Sequence, residues 1–397
     1  MAGRAAVIGV GLTESKYRWP EISDTELVNL AVKRALENAE LRLKDIDSVI
    51  MGNMEYFEGI SSPDMWTVEG SGAYMKSGIR LQSGGTTGAT VFSGALAHVT
   101  SGVFDVVIAV AYEKMDEGSS SAAMRYITKT PFYNVGGYGP GATSAIAAHG
   151  AEMLKRGAVT EDVVAECRMK QAECGARNAY AHLRKKLTTD DVKNSRLLIW
   201  PVRFLHMCPA SCGACAVILA SEEKAKKLSN NPAWVVDCLN VRGGMSPEFG
   251  DFNISFATGP LGALWMWGVE EACVKLYKRN GITNPRKEFD VIEVYDPSTW
   301  SELGFYERMH ICETGKPYKL IEEGATKIEG DIPVNPSGGV TCTNAIGATA
   351  LIRMAEAAKQ IRGEAGEHQV PNVKTVLGIG QGGDHYATAA LFKKSLV

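Results

Sequence analysis

RLQSGGTTGATVFSGALAHV, residues 80–99, opens in glycines and hydroxyl residues and closes as a smooth run of small side chains at helical spacing. That is a turn feeding a helix. It lies between two apolar runs, IDSVIMGNM (46–54) and FDVVIAVAYEKM (104–115), which read as strands, the second buried on both faces. Upstream, RAAVIGVGLT (4–13) reads as a buried strand and DTELVNLAVKRALENAEL (24–41) as a helix with Asp24 as its N-cap. The order is β-α-β-α-β, the pattern of an α/β layer.

A second pass of the same order follows. LGALWMWGVEEACVKLYKRNG (261–281) reads as a helix, FDVIEVYD (289–296) as a strand, and a helix is expected near 300–313. After PVNPSGG (333–339) come the helix NAIGATALIRMAEAAKQIRG (344–363) and the strands VKTVLGIGQGG (373–383) and YATAALFKKS (386–395). Between the passes, 116–198 is rich in Ser, Gly and Tyr and reads as an excursion, after which CGACAVILAS (212–221) and AWVVDCLNVRGG (233–244) resume strands. A doubled β-α-β-α-β core with a long insertion in its first copy is a specific architecture. The expected units are 1–116 with 199–235, an insertion over 117–198, and 236–397.

With 397 residues the chain is long enough for two cores, since a single core usually stops growing at about 250 to 300 residues. Apolar residues at 45%, charged residues at 22% and a net charge of -3 describe a packed chain with no field that would draw nucleic acid or an anionic membrane. Nine cysteines, an odd number, stand among small and apolar residues, and the opening MAGRAAVIGVGLTESKYR shows no long apolar run or cleavage site, so no secretory leader is expected. Reduced thiols in the cytoplasm are expected. Cys208, Cys212 and Cys215 in CPASCGAC have ligand-like spacing, but no second ligand pair follows, so no metal site is expected in this chain. No run of about 18 apolar residues is present, so no membrane span is expected.

Five segments, four of them with glycines beside polar residues, stand at strand ends, where open α/β sheets gather ligands. They are the opening stretch, SFATGPLGA (255–263), VYDPSTWSEL (294–303), NPSGGVTCTNAIGAT (335–349) and GIGQGGDHY (378–386). Backbone N–H groups gathered at such turns can stabilise an oxyanion.

VVIAVAYEKM, NAYAHLRKKLTTDDVKNSRLL, CPASCGACAVILAS, ATGP, EVYDPSTWSEL, NPSGGV and IGAT resemble, in order and spacing over the whole chain, the landmarks of the thiolase superfamily. The subgroup they look most like is the sterol-carrier and lipid-transfer-protein thiolases. The resemblance implies a five-layered αβαβα α/β fold of two similar halves, with a loop-domain insertion in the first. It also implies a homodimeric core, acyl-coenzyme A as substrate, and a small zinc-ribbon and OB-fold subunit as partner.

Laid on the family's pattern, the residues depart from it at the chemistry. The nucleophile turn, close to Cys-Ala-Ser-Gly in the family, puts Gly85 at the cysteine, with Ser83 and Thr86 as the nearest hydroxyls. A serine or threonine needs an adjacent base to act, and none is evident. Tyr295 stands at the polar head of the segment that keeps Asp296, Thr299, Glu302 and Leu303. It can donate to an oxyanion or act as acid or base, or be a core tyrosine. Asn344 falls at the histidine of the family's Gly-His-Pro loop, within one residue, and can donate but not act as a base. His385, beside Asp384, is the histidine of a candidate catalytic loop that has no cysteine, and Cys342 is the thiol two residues before Asn344. Gly85, Ala257, Gly259, Thr299, Gly338, Gly339 and Gly383 are the expected coenzyme A contacts.

The resemblance therefore implies an enzyme that makes or breaks a carbon–carbon bond beside a thioester, with its usual nucleophile missing. The activity it implies first is thiolysis of a 3-oxoacyl-CoA, aryl esters included, and two alternatives stay open: retro-aldol cleavage of a β-hydroxyacyl-CoA, favoured chemically by the missing cysteine, and non-catalytic binding of an acyl-CoA. Tyr133, Trp66, Trp265, Trp267 and Trp300 near the family's pocket segments would suit an aryl acyl group.

Overall fold

The computed structural model describes residues 3–127, 142–242, 267–382 and 386–396. Eleven strands are formed among them: β1 Ala5–Leu12, β2 Ser48–Gly52, β3 Ser77–Arg80, β4 Val106–Lys114, β5 Leu197–Ile199, β6 Val202–Arg203, β7 Cys212–Ser221, β8 Ala233–Arg242, β9 Val291–Val294, β10 Thr375–Gly382 and β11 Tyr386–Lys393. Nine of them hydrogen-bond in the order β3-β2-β4-β7-β1-β8-β11-β10-β9, and β5 and β6 pair as a separate ribbon. The order has an internal echo. At one edge β3, β2 and β4 run parallel before the antiparallel neighbours β7 and β1; at the other, β9 and β10 run parallel before the antiparallel β11 and β8. The halves meet where Ala5–Val7 of β1 pairs with Ala233–Val235 of β8.

The alternation of side chains along each strand builds the layers. In β4, Val107, Ala109 and Ala111 enter a central core, while Val106, Ile108, Val110 and Tyr112 enter an outer one. In β10, Val376 faces the central core, while Leu377 and Ile379 face the outer core of the other half. Two helices fill the centre, Thr87–Thr100 and Ile346–Arg362, packed on each other and on strands of both halves. Every residue of Ile346–Arg362 is buried. Outside lie Asp24–Asn38 against β1 and β7, and Trp267–Asn280 against β8 and β11. Helix, strands, central helix pair, strands and helix make five layers.

Local chemistry sets the helix ends. Ser23, not Asp24, is the N-cap of Asp24–Asn38: its hydroxyl accepts from the Glu26 N–H, and the Glu26 carboxylate accepts from the Ser23 N–H at 2.8 Å, a reciprocal box that leaves Asp24 inside the first turn. The helix expected near 300–313 is Thr299–Arg308, capped by Ser298. The excursion carries helices Ala142–Lys155 and Glu161–Arg177, and the second reaches back to the other half.

Candidate functional site

The site gathers where the central helices begin. Thr87–Thr100 starts just after Gly85, and Ile346–Arg362 starts just after Asn344. Tyr295 follows β9, and its N–H donates to the Ile379 carbonyl at 3.0 Å, which ties it to β10. A Cβ on Gly85 would stand 3.1 Å from Gly382 Cα, 3.2 Å from the Gln381 carbonyl oxygen and 3.3 Å from the Tyr295 hydroxyl. Position 85 is therefore glycine because its wall is already occupied, and part of that wall is the phenol.

The phenol belongs to a short chain of polar contacts. Its hydroxyl donates to Asn344 Oδ1 at 3.3 Å, and Thr349 Oγ1 donates to the same oxygen at 3.2 Å. With its oxygen doubly engaged, the Asn344 amide points its Nδ2 at Cys208 Sγ, 3.3 Å away. The Asn344 backbone is held from both sides by Ser211, whose Oγ accepts at 3.1 Å and whose N–H donates at 3.0 Å. Ser211 in turn meets His182 Nδ1 at 2.9 Å. Cys208 is fixed through its N–H, which donates to the Pro297 carbonyl at 3.1 Å. Landmarks distant in sequence thus converge on one asparagine.

Burial decides the protonation states. Burial, and then the nearby Cys208, Glu113 and Asp296, push Tyr295 well above the ordinary phenol value, so it stays protonated and acts as a donor. Burial pushes the Cys208 thiol up to about 12, which leaves it uncharged at neutral pH. Burial also keeps His182 below its ordinary value.

The other expected site residues have different surroundings. Ser83 Oγ meets Thr90 Oγ1 at 2.6 Å, a local bond of the turn. Thr86 is fully buried, and its hydroxyl has no partner among the described residues. Cys342 is buried away from the phenol: its thiol donates to the Gln171 carbonyl at 3.3 Å, and Arg168 Nη1 approaches it at 3.8 Å. Thr299 is engaged inside the protein frame. Its hydroxyl donates to Gln171 Oε1 at 2.9 Å, and Gln171 Nε2 donates to Asp296 Oδ2 at 2.9 Å and Glu302 Oε2 at 2.7 Å. Lys170 completes the cluster by pairing with Glu302. Gly338 and Gly339 pack into this scaffold, Gly338 against Gly175 and Gly339 against the Asp296 carboxylate, so they too serve the frame. Trp300 is buried in the core with its Nε1 on His206 Nδ1 at 3.0 Å, and Trp66 is exposed, so neither lines the phenol's surroundings. Ala257, Gly259, Gly383, His385, Tyr133 and Trp265, with the Trp267 side chain, lie outside the described residues.

Cys208 and Gln171 were not singled out for these roles by sequence reasoning. The spacing of Cys208 with Cys212 and Cys215 points only to a shared metal ion. In the fold the three part company: Cys212 donates to Asp116 Oδ1 at 3.0 Å in one outer core, and Cys215 faces the central core. Among the described residues no group of three His, Cys, Asp or Glu side chains is arranged to hold a metal ion. Nor is any helix among them long and apolar enough to cross a membrane.

Comparison with known proteins agrees with this geometry. Residues 263–392 match the family described as Thiolase C-terminal domain-like. Sterol carrier protein 2 of Oryctolagus cuniculus is 29% identical over 409 residues, covering 98% of this chain and 72% of its own length. Benzoylsuccinyl-CoA thiolase subunit BbsB of Thauera aromatica is 27% identical over 305 residues, covering 75% of this chain and 74% of its own. The solved Ltp2-ChsH2(DUF35) aldolase superposes with a TM-score of 0.80 at 22% identity, over 99% of this chain and 98% of that one. With its five layers, its two echoing halves and its landmarks meeting at the starts of the two central helices, the chain has the thiolase fold and is similar in sequence to sterol-carrier and thiolase proteins.

Proposed function

We propose that this protein cleaves a β-hydroxyacyl-CoA by retro-aldol chemistry. One observation carries the reading: the Tyr295 hydroxyl stands 3.3 Å from where a side chain at position 85 would begin. The phenol stands beside the space that a side chain at position 85 would enter, and on this reading the loss of the thiol and the presence of the tyrosine are one exchange. Retro-aldol cleavage needs no acyl-enzyme. The substrate hydroxyl gives up its proton, the Cα–Cβ bond breaks, and its electron pair becomes the thioester enolate while the hydroxyl carbon becomes a carbonyl. Protonation of Cα then yields the shortened acyl-CoA. Tyr295, held protonated, is suited to pass its own proton to Cα while its oxygen takes the substrate hydroxyl's proton in the same step, so the relay needs no separate base; the Asn344 amide is suited to donate to the thioester oxygen.

Support for coenzyme A thioesters comes from the family and from the relative named for benzoylsuccinyl-CoA. That relative also favours a second reading, thiolysis of an aryl 3-oxoacyl-CoA. The site would then need coenzyme A to attack the ketone directly, because Gly85 cannot carry an acyl group. We place the protein in a homodimeric core joined by a small zinc-ribbon and OB-fold subunit, working in the cytoplasm, where its free thiols stay reduced.

The test is a product assay with the chain alone and with a small subunit encoded beside it. A panel of β-hydroxyacyl-CoA and 3-oxoacyl-CoA esters is supplied with and without free coenzyme A. An aldehyde or ketone released from a β-hydroxyacyl-CoA without added coenzyme A is the expected result. Cleavage only of 3-oxoacyl-CoA esters, and only with coenzyme A present, would overturn it in favour of thiolysis. No cleavage of any ester would leave acyl-CoA binding as the activity.

A further inference from the structure

Behind the Asn344 turn lie two acidic side chains that the proposed chemistry does not use. Glu113, near the end of β4, is fully buried, and Glu58 is 9% exposed. Each holds a backbone with one oxygen: Glu113 Oε2 accepts from the Gly347 N–H at 2.8 Å and the Met54 N–H at 3.4 Å, and Glu58 Oε1 accepts from the Lys114 N–H at 2.6 Å and Asn53 Nδ2 at 3.1 Å. The other two oxygens, Glu113 Oε1 and Glu58 Oε2, meet no protein donor among the described residues, and the two carboxyls lie within hydrogen-bond reach of each other. A hydrogen bond between two carboxyls requires a proton on one of them.

Among the described residues no cation competes for that proton. Lys114 turns its ammonium to Asp116 and Glu117, and Arg80 is engaged by Glu55 and Asp64. The remaining titratable groups that face the pair are Asp24, at the start of helix Asp24–Asn38, Tyr112 on β4 and Tyr295 in the site. None can neutralise two carboxylates. Gly347 is the second residue of the central helix that begins just after Asn344, so Glu113 grips the turn that aims the Asn344 amide at Cys208 and its oxygen at Tyr295.

We infer that Glu58 and Glu113 share one proton and act as a positioning pair for the Asn344–Gly347 turn, so that loss of this proton at alkaline pH loosens the turn and lowers turnover. The turnover clause rests on the retro-aldol reading; the clamp itself does not. Burial raises both carboxyls, so a proton is held between them rather than lost to solvent.

Two variants with two readouts test it. Glu113→Gln keeps the shape and carries a permanent donor toward Glu58, whereas Glu113→Ala removes the grip. Amide hydrogen exchange of the peptide containing Gly347, corrected for intrinsic rates, is followed from about pH 6 to about pH 10. Wild-type protection is expected to fall by at least about tenfold toward the alkaline end, while Glu113→Gln stays flat and Glu113→Ala is unprotected throughout. Identical protection profiles in wild type and Glu113→Gln would overturn the clamp, whatever the enzyme's substrate proves to be. In the cleavage assay, Glu113→Ala is expected to lose at least about tenfold in kcat with KM nearly unchanged, and Glu113→Gln to retain activity and lose the alkaline fall. A flat exchange difference between wild type and Glu113→Ala would also overturn the proposal. Exchange as expected with no cleavage of any ester would refute the retro-aldol reading and leave the clamp standing.

Discussion

Replacing Gly85 by alanine in the presence and absence of the Tyr295 hydroxyl gives a sharp test of how the site is built. In Gly85→Ala the new methyl meets three atoms at 3.1, 3.2 and 3.3 Å, all closer than ordinary van der Waals contact. Two of these atoms are backbone, in Gln381 and Gly382, and yield little; the third is the phenolic oxygen, which can swing away. Overpacking of this kind costs about 1 to 3 kcal/mol. Tyr295→Phe removes one of the three contacts, so in that background the alanine is expected to cost about 1 kcal/mol less, the size of coupling found between touching residues. Denaturant unfolding of the four proteins measures the cycle. Turnover provides the second reading: pushing the phenol aside in Gly85→Ala is expected to lower kcat by about ten- to a hundredfold, since displacements near 1 Å cost that much. Stability effects that add to within about 0.3 kcal/mol, or unchanged turnover in Gly85→Ala, would refute the idea that glycine at 85 and tyrosine at 295 are a matched pair.

Other outcomes follow from buried charge and buried thiols. Lys170→Met strips the partner from fully buried Glu302 and is expected to destabilise the fold by about 3 to 5 kcal/mol in thermal unfolding, while affinity for an acyl-CoA among the surviving native molecules stays unchanged. Cys208, with burial holding its thiol up to about 12 against an ordinary value of 9.0, should react with iodoacetamide at about pH 8 roughly a thousandfold more slowly than an exposed cysteine, read by peptide mass spectrometry; rapid labelling would mark it as an activated nucleophile. Glu58 is raised by burial from an ordinary value of 4.5 to about 7, so the folded state keeps a proton that the unfolded chain releases in that window. Stability should therefore fall as pH rises through it, and Glu58→Gln should gain on wild type by up to about 3 kcal/mol between the two ends, measured as unfolding free energy against pH.

Much of the architecture was legible because periodicity survives burial. Strand β4 is apolar at successive positions since both of its faces meet cores, and Ile346–Arg362 is apolar or small around most of its circumference since it lies in the central layer. Position along the landmarks named Tyr295 and Asn344 separately, and the fold brings them into contact. What spacing could not separate is a residue that faces a ligand from one that braces the frame. Thr299, Gly338 and Gly339 have the polarity and small size of pocket residues, yet Thr299 answers to Gln171 and Gly339 to Asp296. Gln171 lies more than a hundred residues from the three side chains it ties together, and only the folded chain brings them into contact. Cys208 was hidden for a different reason: three cysteines close in sequence suggest a shared ligand, but alternate faces of β7 and the turn before it send them to three different environments.

The central claim is that carbon–carbon cleavage here proceeds without an acyl-enzyme. Rapid quenching of the enzyme during turnover of a β-hydroxyacyl-CoA, followed by intact-protein mass spectrometry alongside quantification of the carbonyl product, tests it directly. The expected result is carbonyl product accumulating while the protein mass stays that of the unmodified chain at every time point. A mass increase equal to the acyl group, appearing and decaying at the rate of turnover, would contradict it.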